Sequence, residues 1–182
     1  MALTRSAPVP LGSPPPPFGL PATDGGAYSL DDFRRAKALM VIFLCNHCPY
    51  VLAWLDRIGA VAREFAPKGL RAVGISSNDP LTFPQDSFPM MKEFARERQL
   101  PFPYLFDESQ DVARAYGATC TPDIYVYSAA RELAYHGRVD DNHADPLRAT
   151  RRDLRNAVAA ILAGKRAPAQ EPSMGCNIKW RV

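Results

Sequence analysis

The feature that most constrains this chain is Cys45-Asn46-His47-Cys48, two thiols with two residues between them, set where one periodicity gives way to another. Just before it runs KALMVIFL, from Lys37 to Leu44. Those bulky, partly β-branched residues read as a strand buried on both faces. Just after it, from about His47 to Phe65, the residues Val51, Leu52, Leu55, Ile58, Val61, Ala62 and Phe65 recur at three- and four-residue steps, which is helical spacing. Pro67-Lys68-Gly69 stops that helix, and LRAVGIS from Leu70 to Ser76 is a second buried strand. Strand, helix and strand in this order make a right-handed parallel crossover and imply a central sheet. A thiol at the strand-to-helix junction faces the first free N–H groups of the helix and the positive end of its dipole, which favours the thiolate. Cys45 is therefore expected to be acidic and to attack. Cys48, one turn on, is placed to close a disulfide with it through a mixed-disulfide intermediate. A protonated His47 would stabilise the thiolate further. Ordinary buried thiols, or half of a zinc site, are the competing readings of the same four residues.

Composition narrows the setting. A chain of 182 residues, 47% apolar, suits one domain with a sizeable core. A net charge of +3 is too slight for a dedicated nucleic-acid binder, so no nucleic-acid partner is expected. The basic excess gathers at one end, where residues 148–182 carry 8 basic and 2 acidic side chains. No apolar run approaches the ~20 residues of a membrane span, and the first residues show no signal-peptide pattern. A cytoplasmic protein without a membrane partner is the expectation. Four cysteines are too few for a secreted disulfide scaffold, and in a reducing compartment they serve catalysis or metal binding.

Three regions are expected along the chain. Residues 1–20 form a Pro-rich arm, extended and loosely held, because seven of the 18 prolines lie in the first 21 residues. Residues 21–164 form the domain. Residues 165–182 form a basic tail without periodicity, anchored only by Ile178 and Trp180. Within the domain, SNDPLTFPQDSFP is a long loop suited to a functional surface or lid. Helices are predicted at about 90–99, 109–116 and 150–163, the last capped by Thr150 with Asp153 three residues on. A short strand is predicted at 104–106, and DIYVYS with RELAYHGRV reads as a hairpin turning at Ala129-Ala130. Arg138, Asp140 and Asp141 look like its solvated end, and His136 and His143 like ordinary strand and loop residues. Thr121-Pro122 opens the hairpin. An X-Pro bond can be cis, and a cis bond here would set the Thr121 backbone against a neighbouring loop and shape a substrate groove. Cys120 reads as a buried inert thiol. Cys176 is either a second resolving thiol or a packing residue under Trp180.

Taken together, FLCNHCPYV, VGISSND, FPYLFDESQDVARAYGA, CTPD and GCNIKW resemble the thioredoxin fold. More narrowly, over about residues 18 to 180, they resemble the bacterial redoxin branch described as thioredoxin-family or alkyl-hydroperoxide-reductase-like proteins. The resemblance implies an α/β, thioredoxin-like fold with a central mixed β-sheet flanked by helices. It implies Cys45 as nucleophile, Cys48 as resolver, Asn46 and His47 between them, and Thr121 with a cis Pro122 alongside. Asp79 falls where related thiol reductases can keep an acidic residue near the resolving thiol, the competing reading being a solvated loop Asp. The implied activity is thiol–disulfide exchange, antioxidant in kind, with no bound cofactor or metal. Its partners would be a disulfide-bearing protein or small molecule and a thiol electron donor.

Departures from the pattern carry weight. Peroxiredoxins place Thr three residues and Pro seven residues before the peroxidatic cysteine. Here those positions hold Cys45 and Val41 before Cys48, or Ile42 and Ala38 before Cys45. Thioredoxins usually have Trp just before the first cysteine and Asp six residues before it, where this chain has Leu44 and Leu39. A thiol peroxidase is the second reading. A zinc module built on all four cysteines is the third, weakened because structural zinc sites usually supply two close pairs and only one pair exists.

Overall fold

Met40 and Ile42 enter one apolar cluster while Leu39, Val41 and Phe43, on the same strand, enter another. The two-residue period of the pleat is thus apolar on both faces, as a strand covered on both sides requires. The computed structural model describes residues 3–181. In chain order the elements are β1 (Leu3–Arg5), β2 (Gly19–Pro21), β3 (Ala27–Ser29), β4 (Ala38–Phe43), α1 (Pro49–Phe65), β5 (Leu70–Ser76), α2 (Phe88–Glu97), β6 (Tyr104–Phe106), α3 (Asp111–Tyr116), β7 (Cys120–Thr121), β8 (Asp123–Ser128), β9 (Leu133–His136), α4 (Asp153–Leu162) and β10 (Met174–Asn177).

The main sheet has the order β6-β5-β4-β8-β9. β4 runs parallel to β5, from Ala38 opposite Leu70 to Phe43 opposite Ile75. It runs antiparallel to β8, from Ala38 opposite Ser128 to Phe43 opposite Asp123. The sheet is therefore mixed, with parallel β-α-β units on one side of β4 and a hairpin on the other. Trp54, Ile58, Met91, Phe94, Leu154 and Val158 bring α1, α2 and α4 onto one face. Phe18, Phe33, Ala113, Tyr116 and Ile178 cover the other. This is the α/β architecture expected, a mixed sheet flanked by helices.

α1 is held by its buried face. Val51, Trp54, Leu55, Ile58, Val61, Ala62 and Phe65 are all buried. Each large apolar side chain buried contributes about 1.5–3 kcal/mol, against tenths of a kcal/mol lost to the weaker helix propensity of Val, Ile, Trp and Phe. Leu52, read as part of that face, is exposed. Pro49 suits the first helical position, and Gly69, at φ 104°, takes the left-handed conformation that turns the chain into β5.

Both chain ends differ from expectation. The arm is stitched down rather than loose. β1 pairs antiparallel with β10, from Leu3 opposite Cys176 to Arg5 opposite Met174. Farther along, Gly12 N–H donates to Leu133 O at 2.9 Å and Leu133 N–H to Ser13 O at 2.8 Å, covering the open edge of β9. Lack of helical periodicity did not leave the arm idle, because its remaining backbone groups pair with strands. The tail likewise forms β10, which lies between β1 and β7, and Ser173, Cys176, Ile178 and Lys179 are buried.

Two smaller readings are also corrected. The last helix starts at Asp153, not Thr150, because the Thr150 N–H and hydroxyl both donate to Asp141. At the end of the hairpin Asp141 is exposed as expected, but Asp140 and Arg138 are not solvated groups. Asp140 is buried and accepts from the Trp54 indole N–H at 2.9 Å and from Arg57. Arg138 donates to Asp153 at 2.6 Å.

Candidate active site

Four segments converge beyond the C-terminal end of β4. After Phe43 the chain passes through the buried Cys45 and the part-exposed Asn46 and His47 and enters α1 with Cys48 as its N-cap, in extended conformation. The sulfur at the helix N-terminus is therefore that of Cys48. Facing it is β7, where the Thr121–Pro122 peptide bond is cis. Thr121 touches both thiols of the pair: its Oγ1 lies 3.5 Å from Cys45 Sγ, and its backbone oxygen accepts from the Cys48 thiol at 3.1 Å. Cys45 and Cys48 are both buried, and no disulfide joins the four cysteines.

The pair shares a proton unequally. Cys48 is lowered to about 4, first by the Cys45 thiol beside it, and also by the backbone at Val51 in the first helical turn and by the neighbouring Cys176. Burial opposes this. Cys48 is therefore the more acidic of the two thiols. Cys45 is pushed well above the ordinary thiol range because it is the donor to Cys48, because it is buried, and because Asp86 is near. The expectation of an acidic Cys45 is corrected. The helix begins one residue after Cys48, so the dipole and free N–H groups act on the second sulfur.

The acidic residue at the site is Asp86 rather than Asp79, and it lies beside Cys45, Asn46 and His47. It is fully buried; its Oδ1 accepts from Asn46 N–H at 2.8 Å and its Oδ2 from Asn78 Nδ2 at 2.7 Å. His47 Nδ1 is 2.7 Å from Asp86 Oδ2, although neither ring nitrogen completes a well-directed hydrogen bond. The His47 ring stacks on Phe83, with centroids 5.5 Å apart. Asn46 is further held by Gln85 O at 2.8 Å and by the Tyr104 hydroxyl at 3.1 Å. Asp79 instead closes its own turn. Its carboxylate accepts from the Thr82 hydroxyl at 2.8 Å, which together with Leu81 N–H and Arg181 keeps it below the usual carboxylate range despite its burial.

Cys120 and Cys176 part company. The Cys120 thiol points to Pro122 O at 3.8 Å, and burial pushes it far up. Cys176 lies in the same apolar cluster as Cys45 and Cys48. Burial, then its hydrogen bond to Cys48, raises it to about 11.

The sequence reading missed Asp86, Asn78 and Tyr104, and nothing in the loop's spacing sets Asp86 above Asp79. It also missed the buried pair of Asp123 and His136, 2.8 Å apart on β8 and β9. Burial holds the Asp123 carboxyl above its ordinary range. As for metals, the ligand atoms of Cys45, His47 and Asp86 lie within 4.8 Å of one another, a set that could hold a borderline cation such as zinc. Both Asp86 oxygens, however, are already engaged by Asn46 and Asn78. No four-cysteine cluster forms among the described residues.

Residues 11–136 match the AhpC/TSA family, and the chain belongs to it. The chloroplastic peroxiredoxin Q of Gentiana triflora is 28% identical over 111 residues, covering 61% of this chain and 48% of that protein. The chain spans about half the length of the plant relatives it matches. An uncharacterised conserved protein from Geobacillus kaustophilus, solved by crystallography, is 40% identical with a TM-score of 0.95, covering 100% of this chain and 97% of that one. A thiol:disulfide interchange protein from Chlorobium tepidum matches at 15% identity and TM-score 0.66, covering 86% of this chain and 98% of its own. That likeness shows the fold, which is thioredoxin-like.

Proposed function

We propose that the chain is a thiol–disulfide oxidoreductase whose working couple is Cys45–Cys48. The observation that carries this is the geometry of the pair, two buried thiols at the strand-to-helix junction that both meet Thr121 beside the cis Thr121–Pro122 bond. In the disulfide form, a thiolate from an electron donor attacks Cys45, which neighbours the part-exposed Asn46 and His47. Cys48 then leaves as a thiolate. A leaving thiol of low pKa departs faster, and Cys48 stands at the N-terminus of α1, where the helix dipole favours the departing thiolate. The donor's second thiol frees Cys45. The dithiol next reduces a disulfide-bearing protein or small molecule: Cys45, relieved of its proton by Cys48, attacks, and Cys48 resolves the mixed disulfide.

A thiolate stabilised on Cys48 favours the reduced state. The couple is therefore expected to be more oxidising than thioredoxin, above about −270 mV. Equilibration in glutathione buffers, read by alkylation of Cys45 and Cys48, measures it. Cys45→Ser is expected to abolish reduction of a small aromatic disulfide, and Cys48→Ser to accumulate the mixed disulfide. Failure of the wild type to form a Cys45–Cys48 disulfide in any buffer would overturn the reading. Peroxide consumption undiminished in Cys48→Ser would favour a peroxidase, the activity named in the plant relatives.

A further inference from the structure

A third sulfur belongs to the centre just described. β10 pairs with β7 in a register that sets Cys176 directly opposite Thr121, and Asn177 opposite Cys120. Directly opposed residues in an antiparallel pair project to the same side of the sheet. Cys176 therefore shares the side of Thr121, whose hydroxyl meets Cys45 and whose carbonyl oxygen meets Cys48. Cys45, Cys48 and Cys176 are buried in one cluster, with α1 packed on β10.

The placement is built rather than incidental. A Cβ on Gly175 would stand 1.9 Å from Thr121 O, so only glycine lets the tail lie this close. On one side the Ser173 hydroxyl donates to Pro122 O at 2.6 Å. On the other, Ile178 N–H donates to Thr119 O at 3.1 Å and Lys179 N–H to Asn78 Oδ1 at 2.8 Å. Asn78 in turn holds Asp86, so one network fixes both the tail and the Asn46–His47 segment.

We propose that Cys176 is a catalytic thiol that exchanges with the Cys45–Cys48 disulfide, converting it to Cys48–Cys176 and releasing Cys45. This rests on the reading of Cys45–Cys48 as the redox couple. The Cys176 sulfur, as thiolate, attacks Cys48. The Cys48–Cys176 bond forms, the Cys45–Cys48 bond breaks, and Cys45 leaves with the electron pair. The proton given up by Cys176 ends on Cys45. One disulfide is exchanged for another, so no outside oxidant or reductant takes part. Sulfurs held in one buried cluster react as one molecule, without the entropy loss of a bimolecular encounter. The consequence is a freed Cys45, next to the part-exposed Asn46 and His47, while the oxidising equivalent is kept on Cys48 and Cys176.

Disulfide mapping tests this on the full chain. Protein oxidised with oxidised glutathione is acid-quenched, alkylated, digested and read by mass spectrometry. Cys45→Ser is expected to lose its Cys48 and Cys176 thiols together, in monomers that yield a joined Cys48–Cys176 peptide. Wild type is expected to yield Cys45–Cys48 and Cys48–Cys176 peptides, and Cys176→Ser the first alone. A Cys45→Ser protein that carries glutathione on Cys48 with the Cys176 thiol intact overturns the proposal. Should that variant fail to fold, the wild-type map decides: a joined Cys48–Cys176 peptide supports the exchange, and its absence beside Cys45–Cys48 overturns it. A Cys176→Ser protein that forms no Cys45–Cys48 disulfide would count against the couple itself, a separate failure.

Discussion

The stability of the reduced protein should depend on pH through Cys48. Its thiol is lowered to about 4 in the folded chain, against an ordinary value of 9.0. A depressed pKa stabilises the fold fully above the unfolded value and not at all below the folded one. Between about 4 and 9 the unfolded chain holds a proton that the folded chain has released, so unfolding free energy rises by about 1.4 kcal/mol per pH unit. From pH 5 to pH 8 that amounts to about 4 kcal/mol. Cys45, raised rather than lowered, keeps its proton in both states across this window and adds no slope. Other groups titrate too, so the informative quantity is a difference. Urea unfolding of wild type and Cys48→Ser, each held reduced by a phosphine, gives that difference at several pH values. It should widen by about 4 kcal/mol, in favour of wild type, from pH 5 to pH 8. Oxidised wild type, with Cys48 in a disulfide, should lose the slope. A difference constant to within about 1 kcal/mol would place the anion elsewhere and refute the reasoning.

Three further outcomes follow from particular contacts. Asp86→Asn should cost about 2–3 kcal/mol by denaturant unfolding, since the new amide faces Asn78 Nδ2, and thiolate absorbance should show Cys45 lowered because a charge that raises it is gone. Gly175→Ala should lower stability by about 3 kcal/mol or more, because the new Cβ would strike Thr121 O, and a Tm equal to wild type would contradict the register of β10. Asp140→Ala should cost about 3 kcal/mol, measured the same way, by leaving the Trp54 indole and the Arg57 guanidinium without their acceptor.

The parts of the fold legible in the sequence are those where burial and periodicity agree. KALMVIFL and LRAVGIS became β4 and β5 because both faces of the sheet are covered, and the helical run after Cys48 became α1 because one face is. The chain ends were not legible, for a physical reason. Their elements, β1 and β10, are three and four residues long and are held by backbone hydrogen bonds, which leave no trace in side-chain pattern. The same limit hid Asp86. Its role depends on a loop fold that returns it to Asn46, forty residues earlier, and composition cannot set it apart from Asp79. Asp140 was misread because its partners, Trp54 and Arg57, lie on a helix more than eighty residues away.

Register separates the two spare cysteines. Cys120 is two residues from Pro122 and Cys176 more than fifty, so sequence distance favours Cys120 as neighbour of the pair. The pleat decides otherwise. Thr121 faces Cys45, and adjacent residues on a strand point to opposite sides, so Cys120 must turn away, as its contact with Pro122 O records. Cys176, opposite Thr121 across the antiparallel ladder, must turn toward the pair. A slip of one residue in β10 would place Asn177 there instead and remove the third sulfur from the site. Such a slip would also carry Gly175 off the Thr121 carbonyl, where no side chain fits. The glycine therefore pins the register, and the register in turn makes Cys176, rather than Cys120, a neighbour of Cys48.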